Sequence, residues 1–192
     1  MDLLKHRIQT DGLIINNALL KVDSFLNQQI DPELMMKIGE EFVRRFASEK
    51  ITKILTIESS GIAASVMTGL ILKVPVIFAR KRKPKVTGDD VYTANVYSYT
   101  KEESNSIMIS KQFIQPEDHV LIIDDFLANG EAAAGLAHIV EQAKARVVGI
   151  GIVIEKSFQP GAQKLTEAGY RVESLARIKA FANGQVEFLT DD

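Results

Sequence analysis

Apolar runs of strand length alternate along this chain with longer stretches whose apolar positions recur at helical spacing. In "IDPELMMKIGEEFVRRFASEK", Asp31 is suited to cap a helix and Pro32 to begin it, while Met35, Ile38, Phe42 and Phe46 form one stripe. That pattern predicts an amphipathic helix. Strands are predicted at 51–57 (ITKILTI), 75–80 (PVIFAR), 119–124 (HVLIID) and 146–155 (RVVGIGIVIE). The helical segment "GIAASVMTGLIL" joins the first two, and "EAAAGLAHIVEQAKA" joins the last two. Continuous apolar strands connected in this way predict an α/β fold, a parallel sheet flanked by helices with right-handed crossovers. Between them, "VYTANVYSYT" and "SNSIMISKQF" alternate on either side of a polar "KEE" and predict an exposed hairpin. With neither an internal repeat nor a low-complexity linker, residues 1–192 are expected to form one domain.

Composition narrows the class of function. Hydrophobic residues make up 46% and charged residues 25%, the balance of an ordinary soluble protein. No apolar run reaches the ~20 residues of a membrane span, and "MDLLKHRIQTDG" has no apolar signal-peptide centre, so a cytoplasmic location and no membrane partner are expected. There are no cysteines, and the three histidines lack the spacing of a zinc site. A net charge of -2 offers no overall attraction to nucleic acid.

In a sheet of this kind ligands bind beyond the carboxyl ends of the strands. There the sequence reads "ESSG" after the first strand, "RKRKPK" after the second, "DDFLANGE" after the third and "EKSF" after the fourth. A hydroxyl loop, a cation cluster, an acid pair before a helix N-terminus and a lysine suit a ligand carrying phosphates and sugar hydroxyls. Carboxylates accept hydrogen bonds from vicinal hydroxyls, and a helix N-terminus offers free N–H groups to phosphate. Each motif also has a plainer reading. Asp124 and Asp125 fit a turn and cap, "ESSG" fits any helix start, and "RKRKPK" fits a solvated loop or a nucleic-acid patch. "GIG" at 149–151 lies inside a strand, which favours close helix packing over dinucleotide binding.

The stretch "VLIIDDFLANGEAAAG" resembles the signature of type I phosphoribosyltransferases, in which an apolar strand ends in two acids and a small-residue turn. The order of the other loops agrees along the whole chain. The resemblance implies transfer of the phosphoribosyl group of phosphoribosyl diphosphate (PRPP) to a purine in salvage, by a homodimer with a mobile hairpin hood. Asp124 and Asp125 would bind the ribose 2′ and 3′ hydroxyls, and Ala128, Asn129, Gly130, Glu131 and Ala132 would cradle the 5′-phosphate. Ser59, Ser60 and Gly61 would form the pyrophosphate loop, helped by some of Arg80, Lys81 and Lys83, with the hood running from Lys81 through the 91–110 hairpin. Mg²⁺ would be held mainly by PRPP and water, with no direct protein ligand set, and no covalent nucleophile is expected. The turn departs from the usual Ala-Thr-Gly-Gly-Thr, since Asn129, Glu131 and Ala132 replace Thr, Gly and Thr. Glu131 must therefore turn outward, or the phosphate lies elsewhere.

Base choice rests on Lys156, Asn27 and Leu20. Lys156 can only donate, which suits a purine 6-oxo group, and Asn27 can donate to the 2-oxo group of xanthine. The Leu20 backbone is added by resemblance alone. Xanthine, yielding XMP, is the expected base; guanine, hypoxanthine or adenine are the alternatives. Another alternative is a non-catalytic PRPP-sensing purine regulator, disfavoured because about 30 residues before the first confident helix are too few for a DNA-binding appendage.

Overall fold

The structure is a computed structural model describing residues 1–16, 18–81, 90–98 and 103–190. In chain order it contains α1 (Asp2–Asp11), β1 (Leu13–Ile15), β2 (Leu19–Lys21), a π-helical turn (Asp23–Asn27), α2 (Pro32–Arg45), β3 (Lys53–Ile57), α3 (Gly61–Leu72) and β4 (Val76–Ala79). Then follow β5 (Val91–Ser98), β6 (Glu103–Ser110), a 3₁₀ turn (Lys111–Phe113), β7 (His119–Leu127), α4 (Glu131–Gln142), β8 (Arg146–Lys156), α5 (Gly161–Glu167), β9 (Val172–Ala182) and β10 (Gln185–Phe188). Asp31 caps α2, its Oδ1 accepting from the N–H groups of Glu33 and Leu34 at 3.1 Å each, with Pro32 at the first helical position. Among the described residues no helix is long and apolar enough to cross a membrane.

Six strands form the central sheet in the order β10-β9-β8-β7-β3-β4, parallel throughout except for β10 on β9. Strand order reverses between β3 and β7: one crossover leads outward to β4, the others to β8 and β9. Such a switch point opens a crevice between the two diverging loops. Side-chain alternation divides the sheet between two cores. Leu121 and Ile123 of β7 join α1, α2 and the turn at 23–27, while Val120 and Ile122 join α4. Gly149 and Gly151 lie within β8, where a Cβ would collide with the rings of Phe46 and Phe42. Those glycines let α2 settle directly on the sheet.

Two expectations change. β7 does not stop at Asp124: it continues to Leu127, with Asp124 opposite Ile152 of β8. The acid pair therefore lies inside the last turns of the ladder rather than past it. The hairpin β5–β6 forms, but it is not exposed on both faces. Ala94, Ile107 and Ile109 are buried in the core with α4, and Arg80 and Met108 exchange two backbone hydrogen bonds of 3.0 Å that tie it to the sheet. Contact with α4 removes apolar hairpin area from water, which the alternating pattern alone did not reveal. The parts of the expected hood at 82–89 and 99–102 lie outside the described residues.

Phe42 is fully buried over Gly151. Phe42→Ala should lower the unfolding free energy by about 3–5 kcal/mol in urea titrations, because no side chain on β8 can collapse into the space.

Candidate functional site

The crevice between β3 and β7 is a cavity of about 580 Å³. Its floor is Asp124, Asp125 and Phe126, one wall is the turn Ala128–Ala132, and the facing wall is Glu58, Ser59, Ser60 and Lys81. Three loops from separate parts of the chain, after β3, β4 and β7, meet because their strands are neighbours. Gly61 sits where a Cβ would strike Thr56 Oγ1 and stand 3.4 Å from Asp124 Oδ1, so α3 can begin directly against the acid pair. Gly130, at φ 88°, closes the turn before α4 in a conformation that favours glycine.

Asp124 is only 4% exposed, and its Oδ1 accepts the N–H of Asp125 at 3.0 Å. Burial first, and then the neighbouring Asp125 charge, push the Asp124 carboxyl well above the usual range. Burial also raises Asp125, opposed by hydrogen bonds that include the Ser60 hydroxyl. The pair titrates as a unit and holds a proton unusually tightly. Hydroxyl donors or a cation in the cavity would relieve that repulsion.

The cation cluster divides. Lys81 lines the cavity, and its backbone N–H donates to Glu58 Oε1 at 2.7 Å. Arg80 instead lies over the Phe78 ring at 5.7 Å and lines a neighbouring groove, with its Nε 3.8 Å from Glu58 Oε2. Lys83 lies outside the described residues. Glu58, joined to Ser59 by a cis peptide bond, thus links the hydroxyl loop to the cationic one. The Glu131 carboxylate lies 3.7 Å from Lys164 Nζ on α5.

No protein-family model matches the chain. The chain is 58% identical over 98% of its length to the xanthine phosphoribosyltransferase of Oceanobacillus iheyensis, covering 97% of that protein. It is 56% identical, again over 98%, to that of Moorella thermoacetica, covering 96% of it. The chain belongs to the xanthine phosphoribosyltransferase family. Its fold matches the adenine phosphoribosyltransferase of Saccharomyces cerevisiae, solved with an iminoalditol bisphosphate and adenine, with a TM-score of 0.75 at 25% identity, over 91% of this chain and 99% of that one. It is the type I phosphoribosyltransferase fold.

For a xanthine phosphoribosyltransferase, the base-binding residues expected from sequence are the least assembled. Lys156, Asn27 and Leu20 do not line the cavity. Lys156 is half-buried behind its floor, Nζ 5.9 Å from the Phe126 ring centroid, and burial lowers its pKa. Asn27 ends the π-helical turn with its Oδ1 buried and unpaired, and Leu20 is buried in the apolar cluster against which Phe126 packs. Phe126 is the link between the two groups, lining the cavity and packing against that apolar cluster, and no role was expected for it from sequence. Val96, Tyr97, Asn105 and Ile107 were also missed, although they line the cavity from the hairpin. The alternation of the hairpin was visible, but not the surface that one of its faces covers.

Both carboxyls titrate above the unfolded range, so the folded protein binds more protons and its stability falls as pH rises through that window. Thermal melts of the free protein should show Tm declining as the pH rises above the ordinary carboxylate range. Asp124→Asn should flatten the decline and raise Tm at neutral pH; equal slopes in the two proteins would refute the pair's role.

Proposed function

We propose that this protein transfers the phosphoribosyl group of PRPP to xanthine, releasing pyrophosphate and forming XMP. The observation that carries this reading is the meeting of the acid pair, the hydroxyl loop and the turn before α4 in one cavity at the switch point of the sheet. Asp124 and Asp125 accept the ribose 2′ and 3′ hydroxyls, which supply the donors their repulsion calls for. The backbone of Ala128–Ala132, with the N-terminus of α4 behind it, receives the 5′-phosphate. Ser59, Ser60, Gly61 and Lys81 face the pyrophosphate.

Displacement at the anomeric carbon passes through an oxocarbenium-like state, so orientation and charge stabilisation suffice without a protein nucleophile. The donor set fits a magnesium ion that arrives with PRPP: the available side-chain ligands are hard oxygens, and among the described residues no cluster of three would hold a metal unaided. When bound, Mg²⁺ neutralises charge on the departing pyrophosphate. Val96 and Ile107 contribute an apolar wall that limits water beside the reacting carbon. The proposed location of the enzyme is the cytoplasm.

Xanthine is favoured over adenine because Lys156 has only donors to offer and its charge attracts the xanthine anion, whereas a 6-amino group needs an acceptor. Side-by-side assays with xanthine, guanine, hypoxanthine and adenine test the assignment; highest kcat/KM with any other base would reject it. Lys156→Met should lower kcat/KM for xanthine roughly 10- to 150-fold, the worth of a hydrogen bond to a charged group, with little change in the KM for PRPP.

The working unit is proposed to be a homodimer. α3 is predominantly apolar and leaves Val66 and Leu70 exposed, Leu70 by 63%, and Phe78 is exposed on the edge strand β4. Apolar surface of this kind marks an interface. Leu70→Asp should shift light-scattering mass from dimer to monomer, and a wild-type mass in the variant would exclude this face.

A further inference from the structure

We infer that α5 braces the phosphate turn, with Gly161 fixing the turn's backbone and Lys164 neutralising the Glu131 carboxylate beside the bound 5′-phosphate. The inference rests on the reading that Ala128–Ala132 holds that phosphate. The Gly161 N–H donates to the Ala128 carbonyl oxygen at 2.9 Å. A Cβ at Gly161 would collide with that same oxygen, and would lie 2.8 Å from the Gly130 nitrogen and 3.0 Å from the Asn129 carbonyl carbon. From the other side, a Cβ at Gly130 would lie 3.2 Å from Gly161 Cα. The contact is backbone against backbone across three consecutive turn residues, so no flexible side chain can yield to absorb a change.

The brace is itself anchored. Gln159 donates its N–H to the Lys156 carbonyl at 2.9 Å, and the Ser157 N–H donates to Ile178 of β9 at 2.8 Å. The Ser157 hydroxyl donates to Glu155 Oε1 at 2.6 Å. Glu155 is buried, with Arg177 Nε 3.9 Å away; it pairs with Leu127 of β7 in the sheet and does not itself line the cavity. This buried carboxylate thus fixes the segment that reaches from the end of β8 to the turn.

The charge half of the inference explains how a carboxylate is accepted at Glu131. An anion in the first turn of α4 complements the helix dipole but repels a phosphate at the same place. Lys164 stands 3.7 Å from it and cancels that repulsion. The pair is half exposed, so its worth to stability is small, whereas its effect on a dianionic ligand is direct.

The test is calorimetric titration with ribose 5-phosphate, together with KM values for PRPP and xanthine, on the full chain. Gly161→Ala should weaken ribose 5-phosphate and raise the KM for PRPP about 10- to 100-fold while leaving the KM for xanthine near wild type, as expected for displaced binding geometry. Lys164→Met should weaken ribose 5-phosphate roughly 3- to 10-fold at low salt, and adding Glu131→Gln should restore it. Gly130→Ala is the control for the underlying reading. If it keeps wild-type ribose 5-phosphate affinity, the phosphate lies elsewhere and the brace falls with it. If it loses affinity while folded Gly161→Ala does not, the brace alone is overturned. Should Gly161→Ala fail to fold, the Lys164→Met and rescue pair decides, and failure of Glu131→Gln to restore affinity overturns the inference.

Discussion

Two adjacent carboxylates at the bottom of a crevice, one nearly sealed from water, set the terms for everything around them. Left alone, Asp124 and Asp125 repel each other where solvent screens poorly. The surrounding structure offsets this only in part, through the Asp125 N–H, the Ser60 hydroxyl and the nearby Lys81 charge. What remains is a standing demand for hydroxyl donors or a metal-bearing ligand. A site that costs stability when empty gains more when a ligand with hydroxyl donors fills it.

That demand can exist because the switch point lies between β3 and β7. Adjacent strands whose crossovers diverge leave a gap no helix fills, and each side of the gap ends in a loop with its own chemistry. Glycines then bring backbone close enough to matter: Gly61 seats α3 against Asp124, and Gly161 seats α5 against the turn Ala128–Gly130. Similar use of glycine within β8 draws α2 onto the sheet. The same device, removal of a side chain where two elements must touch, thus serves both core and site.

Much was legible in the linear pattern. Period-two and period-3.6 apolar spacing located α2, the parallel strands and their crossovers, because burial on both sheet faces leaves an uninterrupted apolar signature. The acid pair, the hydroxyl loop and the small-residue turn were legible because their chemistry is local, carried by consecutive residues. Weakly patterned elements were not. α1 buries only Leu4 and Ile8, and β1 and β2 have three residues each, so none of these carried a periodic signal long enough to stand out.

The sequence by itself determined the class of the fold, four of its parallel strands and the chemical character of the loops that follow them, since these follow from local burial and local functional groups. Only the tertiary structure decided which loops meet, that Phe126 stands between the cavity and Lys156, and that the hairpin turns Val96 and Ile107 inward. It likewise decided that Glu131 finds Lys164 and that Arg80 lies apart from Lys81. Apart from the neighbours Arg80 and Lys81, which line different cavities, these are relations between residues well separated in the chain, created by strand neighbourhood and helix packing, and no local pattern encodes the distance between two side chains that only a folded sheet brings together.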